Sequence, residues 1–593
     1  MRPTRVIPYI LLIAVAINAQ FLSPYLNDPD LAIGYVDSCA RFWFNSYDDF
    51  EGGFYTNVDR EGDVVTAWGT NKNMLTQSRN AYGMARAFQL TGDTTFLEYM
   101  EGALGFQYDH AWDSQYGGWF SDLAQDGEVQ GPQNNKTAFM QHYALLGPTV
   151  AWEVTRSPLH WQQIENGWNY LESNWYDDRT EFQGYYDEST RSHTNRWNKS
   201  FNATVDAMTT HLITLMLNTD DSRYQERYSE MILQARQHLV ANMVGQAIGF
   251  PEHFDSNWNI QANETLTIMG HVLKTGWSIA RLEQVAPEEG RIQDAETLVN
   301  NVLYLGYDDE LGGPYKDYNR LTGVMQMWGN PDTAKAWWQM EQAVTAGLQL
   351  YDLTGQQHFL DMADETLHFF MRYFVDHTYG EVYENRTRYG EETWGTTKGN
   401  GYKGGYHSIE LGYYTYLYGQ LLIQNEPVML HYYFEPLVVE QTVFLTPMAL
   451  PFNELVITSV EHADTSYANY LSAERQIYLP EGVGGHFTVT FERQESSSVN
   501  DGVAALPTSA TLSQNYPNPF NAATQIRILG PITAGETIQI FNLRGERIRS
   551  LPVDSPIIQW DGRDAHGTEL VSGLYLSQLS SGSGPTLRML LIR

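Results

Sequence analysis

The motif YDDFEGGFY, residues 47–55, is the strongest indication of the fold, because similar motifs recur along the chain. It reappears as WDSQYGGWF at residues 112–120 and as YDDELGGPY at residues 307–315. Weaker copies begin near Tyr176, Gly249 and Asp376. The six turns lie roughly 60–75 residues apart, which indicates an internal repeat of one structural unit.

The segments between the turns have the apolar spacing of amphipathic helices. Residues 77–108 and 340–373 each contain two helical patterns separated by a Thr-Gly break. Gly92 and Gly355 lie where a helix C-terminus favours glycine. Six helical hairpins predict an all-α (α/α)6 barrel, with an open helical solenoid as the alternative. Closure is favoured because neither end of the repeat region shows a polar capping repeat.

Composition changes divide the rest of the chain. Residues 1–19 carry arginines followed by a short apolar run, which predicts a secretory signal peptide. The barrel is expected over residues 20–425, a β-rich domain over 426–493 and a linker over 494–506. A C-terminal β domain is expected over 507–593, so that two small β-sandwich-like domains follow the barrel.

Charge and composition exclude some classes of function. The formal net charge of −35 disfavours nucleic acid and anionic membranes as partners. An aromatic content of 13% is compatible with sugar binding, because aromatic faces stack on sugar rings. The single cysteine, Cys39, excludes an intramolecular disulfide framework. The sequence contains no spacing typical of a metal site and no phosphate-binding loop, so no metal and no cofactor are expected.

Two histidine motifs are candidates for chemistry. GYKGGYHSIE, residues 401–410, places His407 after a glycine-rich loop and before a helix. A helix N-terminus disfavours the imidazolium, so His407 is expected to be neutral. GHVLKTGW, residues 270–277, places His271 and Lys274 on one helix face, where the lysine charge should lower the histidine pKa.

Taken in order, these motifs resemble those of the N-acylglucosamine 2-epimerase superfamily, including the cellobiose 2-epimerases, over residues 31–419. The resemblance rests on Arg79-Asn80, KSFN at 199–202, the His271 motif, KAWWQME at 335–341 and the Lys403–His407 segment. It implies an (α/α)6 barrel in which His271 and His407 are the acid–base pair and Arg79 stabilises an oxyanion. The implied sugar-binding residues are Asn202, Asp206, Trp338, Lys274, Glu341, Tyr402, Tyr406 and Lys403.

The activity implied is C2 epimerisation or aldose–ketose isomerisation at the reducing end of a mono- or disaccharide. Removal of the C2 proton gives an enediolate, and a second group returns a proton to it. The sequence departs from the family pattern at four positions. Asp206 replaces a histidine, Lys274 a glutamate, Tyr402 a tryptophan and Phe139 a tyrosine. The two reversed charges predict that Asp206 and Lys274 pair across the pocket.

The last ninety or so residues resemble the C-terminal sorting domain of type IX secretion substrates. The matching segments are YPNPFN at 516–521, WDG at 560–562 and SGLY at 572–575. With the signal peptide, the resemblance implies a secreted or cell-surface protein of a Gram-negative bacterium. Secretion machinery would then be its partner.

Two other classes of function remain open from the sequence. A glycoside hydrolase or polysaccharide lyase could use two carboxylates across the cleft, with Asp206, Asp48, Asp308 and Glu341 as candidates. A non-catalytic glycan-binding protein would explain the altered Asp206 and Tyr402. The sequence predicts no oligomeric state.

Overall fold

A computed structural model describes residues 21–451, 454–494, 511–512, 515, 520–521, 523–529, 535–542, 544–553, 555, 557–581, 586–591 and 593. The chain divides into two compact units, Met1–Ser496 and Ser497–Arg593. The predicted signal peptide, nearly all of the predicted linker and most of the YPNPFN motif lie outside the described residues.

The first unit is built mainly from α-helices. They are α1 Pro24–Asn27, α2 Leu31–Phe42, α3 Met74–Thr91, α4 Thr95–His110, α5 Ala138–Tyr143, α6 Leu146–Thr155, α7 Pro158–Asn174, α8 Phe201–Ala207, α9 Ile213–Asn218, α10 Ser222–Gln234, α11 Met269–Val285, α12 Arg291–Leu305, α13 Trp337–Thr354, α14 Gln357–Tyr373 and α15 His407–Tyr418. π-Helical turns extend three of them, at Met208–Leu212, Ala235–Val240 and Gly419–Gln424. As predicted, α3 and α13 end at Gly92 and Gly355 in the left-handed conformation, with φ of 71° and 64°.

The helix contacts close into a ring. The inner helices α3, α6, α8–α9, α11, α13 and α15 each contact the next, and α15 contacts α3 again. Each packs against an outer helix: α3 on α4, α6 on α7, α9 on α10, α11 on α12, α13 on α14 and α15 on α2. A barrel requires this closed order of neighbours, whereas an open solenoid would leave its two end helices apart.

Four of the six repeated turns share one hydrogen-bonding pattern. In the first turn, Asp48 N–H donates to Gly53 O at 2.9 Å and Gly52 N–H donates to Asp48 O at 2.9 Å. Gly53 has φ 75°, and a Cβ there would lie 2.8 Å from Gln77 Oε1 at the start of α3. Glycine is therefore required both by the backbone conformation and by the close approach of the inner helix.

Five repeats carry a buried ion pair that we name the lysine–aspartate clamp. It joins the turn aspartate to the lysine just ahead of the next inner helix, in the pairs Lys72–Asp48, Lys136–Asp113, Lys199–Asp177, Lys335–Asp308 and Lys398–Asp376. Their N–O distances are 2.9–3.1 Å. Each lysine also donates to a turn carbonyl, from Gly52, Gly117, Gly184, Gly312 or Gly380. In the fourth repeat, Val244 and Thr267 occupy the two clamp positions, so that repeat has no clamp.

Short strands connect the turns to the helices. They are β1 Lys72–Asn73, β2 Asp122–Leu123, β3 Asn135–Thr137, β4 Tyr176–Asp177, β5 Gly184–Tyr185, β6 Glu188–Thr190, β7 Arg196–Trp197, β8 Lys199–Ser200, β9 His253–Phe254, β10 Leu266–Ile268, β11 Asp317–Asn319, β12 Gln326–Met327, β13 Asn330–Pro331, β14 Lys335–Ala336 and β15 Asn385–Arg386. They pair antiparallel, with Leu266 opposite Asn319 and Met327 opposite Asn330. They surround the end of the ring at which the inner helices begin.

The β region predicted as a separate domain is part of the first unit. Its strands are β16 Val428–Phe434, β17 Gln441–Phe444, β18 Leu455–His462, β19 Thr465–Ser466, β20 Tyr470–Leu471, β21 Gln476–Leu479 and β22 Gly485–Arg493. They form two antiparallel sheets, in the orders β16-β22-β18-β19 and β17-β21-β20.

These sheets share one apolar core with the helices, which is why the boundary expected at residue 425 does not separate two compact units. The sheets contact the C-terminal ends of the inner helices. Glu435 N–H donates to Thr155 O at 2.8 Å, and Arg493 pairs with Asp352 at 2.7 Å.

The second unit contains two sheets around its own core. Its strands are β23 Thr511–Leu512, β24 Thr524–Leu529, β25 Thr537–Phe541, β26 Arg547–Pro552, β27 Ile557–Trp560, β28 Gly573–Leu579 and β29 Leu587–Leu591. The orders are β23-β24-β27 and β26-β25-β28-β29, with Ile526, Ile538 and Trp560 fully buried. Among the described residues, no helix combines the length and the apolar character needed to cross a bilayer.

Candidate active site

A cavity of about 340 Å³ lies at the end of the ring where the inner helices begin. Its wall consists of Arg79, Phe139, Tyr143, Asn202, Asp206, Ile268, His271, Lys274, Lys316, Asp317, Met327, Ala336, Trp337, Trp338, Gln339, Glu384, Asn385, Trp394, Tyr402 and His407. The three predicted catalytic residues and five of the eight predicted sugar-binding residues are therefore together on one surface.

His271, in the first turn of α11, is held by a carboxylate. Its Nδ1 lies 2.8 Å from Glu252 Oε2, and its ring stacks on Phe201 with centroids 3.7 Å apart. Burial lowers the pKa of His271 to about 3 and raises the pKa of Glu252 to about 8. The bond at Nδ1 directs this nitrogen away from the cavity and leaves Nε2 as the working atom.

His407, the first residue of α15, is held in the same way. Its Nδ1 lies 3.3 Å from Glu341 Oε2, and its ring is 6.0 Å from that of Trp338. Burial and, to a smaller extent, the charge of Arg79 hold the pKa of His407 well below its ordinary value. The same Trp338 ring lies 5.3 Å from His271. Two imidazoles, each with a glutamate side chain at Nδ1, therefore flank one indole.

Asp206 and Lys274, whose charges are reversed relative to the family pattern, form an ion pair, as the sequence predicted. Lys274 Nζ donates to Asp206 Oδ1 at 2.6 Å and to the Tyr143 hydroxyl at 3.3 Å. Burial lowers the pKa of Lys274, but Asp206 and Tyr143 outweigh this effect and hold it above its ordinary value. The ammonium group therefore stays charged on the cavity wall, near His271.

Arg79 extends from α3 into the cavity beneath the loop before α15. Its Nη1 donates to the Tyr402 carbonyl, and its guanidinium lies 4.4 Å from the centre of the Tyr143 ring. Arg79 is 4% exposed, whereas Tyr402 is 68% exposed at the mouth of the cavity. Asn202 lies on the wall at the start of α8.

Three predicted sugar-binding residues lie behind the wall, so direct contact with a sugar does not fit their positions. Glu341 is fully buried and reaches His407 instead. Lys403 is fully buried and pairs with Glu381 at 2.9 Å. Tyr406 is 1% exposed, with its ring against His407.

Several residues at or behind the cavity wall were not predicted from the sequence. Three of them occupy the same position in their repeats. Glu252, Lys316 and Glu384 each lie three residues after the second turn residue, Gly249, Gly313 and Glu381. Glu252 bonds to His271, while Lys316 and Glu384 line the cavity. Aligning the six turns would have revealed this position.

Glu384 accepts a hydrogen bond from Asn400 Nδ2 at 2.7 Å, and burial raises the pKa of its carboxyl group. Lys316 donates to Asp317 and, at 2.9 Å, to Asp332. Tyr143 and Trp394 are further wall residues outside the predicted set, and no motif in the sequence marked either of them.

The carboxylates named for a hydrolase are occupied elsewhere. Asp48 and Asp308 belong to lysine–aspartate clamps outside the cavity wall. Asp206 is neutralised by Lys274. Glu341, His407 and Glu410 form a buried group whose possible metal-ligating atoms lie within 4.8 Å of one another. Burial and the Glu410 charge hold the pKa of Glu341 well above its usual range, which disfavours a doubly ionised pair of carboxylates.

With this geometry established, comparison with known proteins identifies the family. Residues 53–410 match the N-acylglucosamine 2-epimerase (GlcNAc 2-epimerase) family. The chain belongs to that family. It is therefore an enzyme of the carbohydrate epimerase and isomerase class.

Individual relatives agree with this assignment. The chain is 22% identical to a cellobiose 2-epimerase of Bacteroides fragilis over 357 residues, which are 57% of this chain and 86% of the relative. A solved cellobiose 2-epimerase of Spirochaeta thermophila is 20% identical, with a TM-score of 0.58, covering 67% of this chain and 97% of its own. A solved D-mannose isomerase is 17% identical, with a TM-score of 0.59, covering 67% and 99%. The two solved structures share the fold of the helical ring.

Proposed function

We propose that the enzyme epimerises or isomerises the reducing end of a mono- or disaccharide through a cis-enediolate, with His271 and His407 as the acid–base pair. The observation that carries this proposal is the matched pair of His–Glu contacts on either side of Trp338. One neutral imidazole removes the C2 proton of the open-chain aldose. The other imidazole carries its proton at Nε2, donates that proton to the enediolate and receives another at Nδ1 from its glutamic acid partner.

Each carboxylate supports its histidine in this cycle. A neutral imidazole with its proton at Nδ1 presents a lone pair at Nε2, which is the form that can accept a proton from carbon. When the ring becomes charged, Glu252 or Glu341 stabilises the imidazolium that forms. Burial holds both histidine pKa values low, so each ring is neutral at the start of the cycle.

Two cations on the wall would stabilise the negative oxygen that develops at C1 or C2. Arg79 and Lys274 are already held in place by hydrogen bonds within the protein, so little reorganisation is needed. Trp338 provides a flat face for the sugar between the two histidines. The cavity of about 340 Å³ is near the lower end of the range for small-molecule sites, about 300–1,000 Å³.

The test is turnover of glucose, mannose and cellobiose by the full chain and by His271→Ala and His407→Ala. We expect each variant to lose about 10²- to 10⁴-fold in kcat, the range for loss of a general acid or base. Release of sugars from an oligosaccharide that persists in both variants would favour the hydrolase alternative instead. Sugar binding without any turnover in the unaltered chain would favour the glycan-binding alternative.

We also propose that the protein is exported, with the second unit as its sorting domain. The support is the signal-like start and the WDG and SGLY segments near the C-terminus. Expression in a bacterium that has type IX secretion, with and without residues 507–593, tests this. We expect the intact chain outside the cell and the truncated chain in the periplasm. The same location for both forms would contradict the proposal.

A further inference from the structure

A second pocket, of about 470 Å³, lies on the other face of one wall of the catalytic cavity. We name it the outer pocket, and its lining includes Asn263, Glu264, Tyr318, Gln326 and Trp328. Along the strands of this wall, neighbouring residues line opposite faces. Asp317 and Met327 line the catalytic cavity, whereas their neighbours Tyr318, Gln326 and Trp328 line the outer pocket. This alternation follows from the two-residue period of strands.

Trp328 is the most unusual residue of the outer pocket. It is 77% exposed and has φ 47°, a left-handed conformation that is costly for a large side chain. Residues held in such conformations cluster at ligand-binding positions. Its indole therefore offers an open flat face in a pocket that Asn263 and Gln326 also line.

Two oxygen atoms at this pocket lack hydrogen-bond partners among the described residues. They are the hydroxyl of Tyr318, a residue only 2% exposed, and Oε2 of Glu264. Glu264 Oε1 is used, because it accepts from Leu266 N–H at 2.5 Å. A buried polar atom without a partner costs about 1–3 kcal/mol. A ligand that brings several hydroxyl groups would supply the missing partners.

We propose that the outer pocket binds a pyranose unit of a neutral glycan. The apolar face of the sugar ring stacks on Trp328. Its hydroxyl groups bond to Asn263, Gln326 and the free oxygens of Tyr318 and Glu264. Binding at the outer pocket can be measured without turnover, so its test is independent of the enediolate mechanism.

The test is binding of glucose, mannose, xylose, cellotetraose and mannotetraose to the full chain, measured by saturation-transfer NMR titration. The background carries His407→Ala so that the sugars stay unchanged. Trp328→Ala should weaken binding of at least one tetrasaccharide by about 3- to 10-fold, the value of one aromatic contact. Glu264→Gln, which removes a charged acceptor, should also weaken it. Trp68→Ala, at a site 61% exposed and outside both pockets, should have no effect.

Unchanged affinity for every sugar in Trp328→Ala would overturn the proposal, since the variant site is exposed and the fold should not change. Turnover kinetics with His407 restored then identify the source of the pyranose. A loss of kcat/KM for a tetrasaccharide but not for glucose shows that the unit belongs to the glycan being converted. Weaker binding with unchanged kcat/KM shows that a separate glycan occupies the pocket. Either result would mean that the outer pocket binds a sugar.

Discussion

The fourth repeat differs from the other five in how its turn is tied to the inner helix. In the other five, a buried lysine–aspartate clamp makes this connection. The fourth has Val244, which is 86% exposed, and Thr267 at the clamp positions. Glu252 makes the connection instead, because its Oε1 accepts from Ile268 N–H at 2.9 Å while its Oε2 reaches His271. The repeat that carries His271 has therefore exchanged an ion pair for a carboxyl group that also orients a histidine.

The difference suggests a division of roles within one architecture. The clamps neutralise their own charges and hold the ring together. Among the residues that the structure describes, no lysine or arginine pairs with Glu252, which faces a histidine with a low pKa. Substitution of a clamp residue should therefore affect stability more than activity, and substitution of Glu252 should affect activity more than stability.

The largest effect is expected from breaking a clamp. Lys335→Met leaves Asp308 buried, and the partly exposed Arg388 is then its remaining cationic partner among the described residues. Removing one member of a buried pair typically costs about 3–5 kcal/mol of unfolding free energy. Urea denaturation measures this cost. Val244→Ala, at the matching turn position of the fourth repeat, should change the free energy by less than about 0.5 kcal/mol. Equal costs for the two variants would refute the contrast between the repeats.

The next effect is on catalysis. Glu252→Gln keeps the size of the side chain but removes the ionisable carboxyl group that balances the His271 imidazolium when it forms. We expect kcat to fall by about 10²-fold, equivalent to about 2.7 kcal/mol, with KM changed less. Steady-state kinetics measure both. The control is Glu101→Gln, which alters a His–Glu contact of 3.0 Å at His160, away from the cavity, and should leave kcat unchanged.

The smallest effect is on the pH dependence of stability. The pKa of Glu252 is raised to about 8, so between its ordinary value and pH 8 the folded state holds a proton that the unfolded chain has lost. This contribution is fully present below the ordinary value and is lost as the pH rises through about 8. His271, with its pKa lowered to about 3, acts oppositely, stabilising the fold as the pH rises toward its ordinary value of about 6.5.

Glu252→Gln should therefore remove a decline in unfolding free energy of at most about 1.4 kcal/mol per pH unit between about pH 5 and pH 8. Denaturation of both proteins at several pH values in this range measures it. Parallel pH profiles for the two proteins would show that the Glu252 carboxyl group titrates in the fold as it does in the unfolded chain.

Much of the helical ring was predictable because its signals are local. The Gly-Gly turns and the apolar spacing between them depend on residues close in sequence, and Gly92 and Gly355 mark two helix ends. The packing of the β region on the helices was not predictable in this way. It depends on contacts such as Arg493–Asp352, which join residues 141 positions apart.

The Asp206–Lys274 pair of the site could be predicted from the sequence, because the charges of the two side chains indicated it. Asp206 and Lys274 are both reversed relative to the family pattern, and two such changes at separate positions suggest a pair. Lys403 shows the limit, because the loop before α15 turns its side chain to Glu381 and away from the cavity. Glu252 was missed because its role depends on the register of a weak turn copy.

The most direct test of the two-histidine account is proton NMR of the full chain turning over glucose, mannose and cellobiose in D2O. The account predicts that the newly formed C2 epimer carries solvent deuterium at C2, while the remaining substrate initially keeps its proton. It also predicts that His271→Ala or His407→Ala exchanges the C2 proton of one epimer without interconverting the two. An epimer formed with its original C2 proton, at full yield and without deuterium, would contradict it.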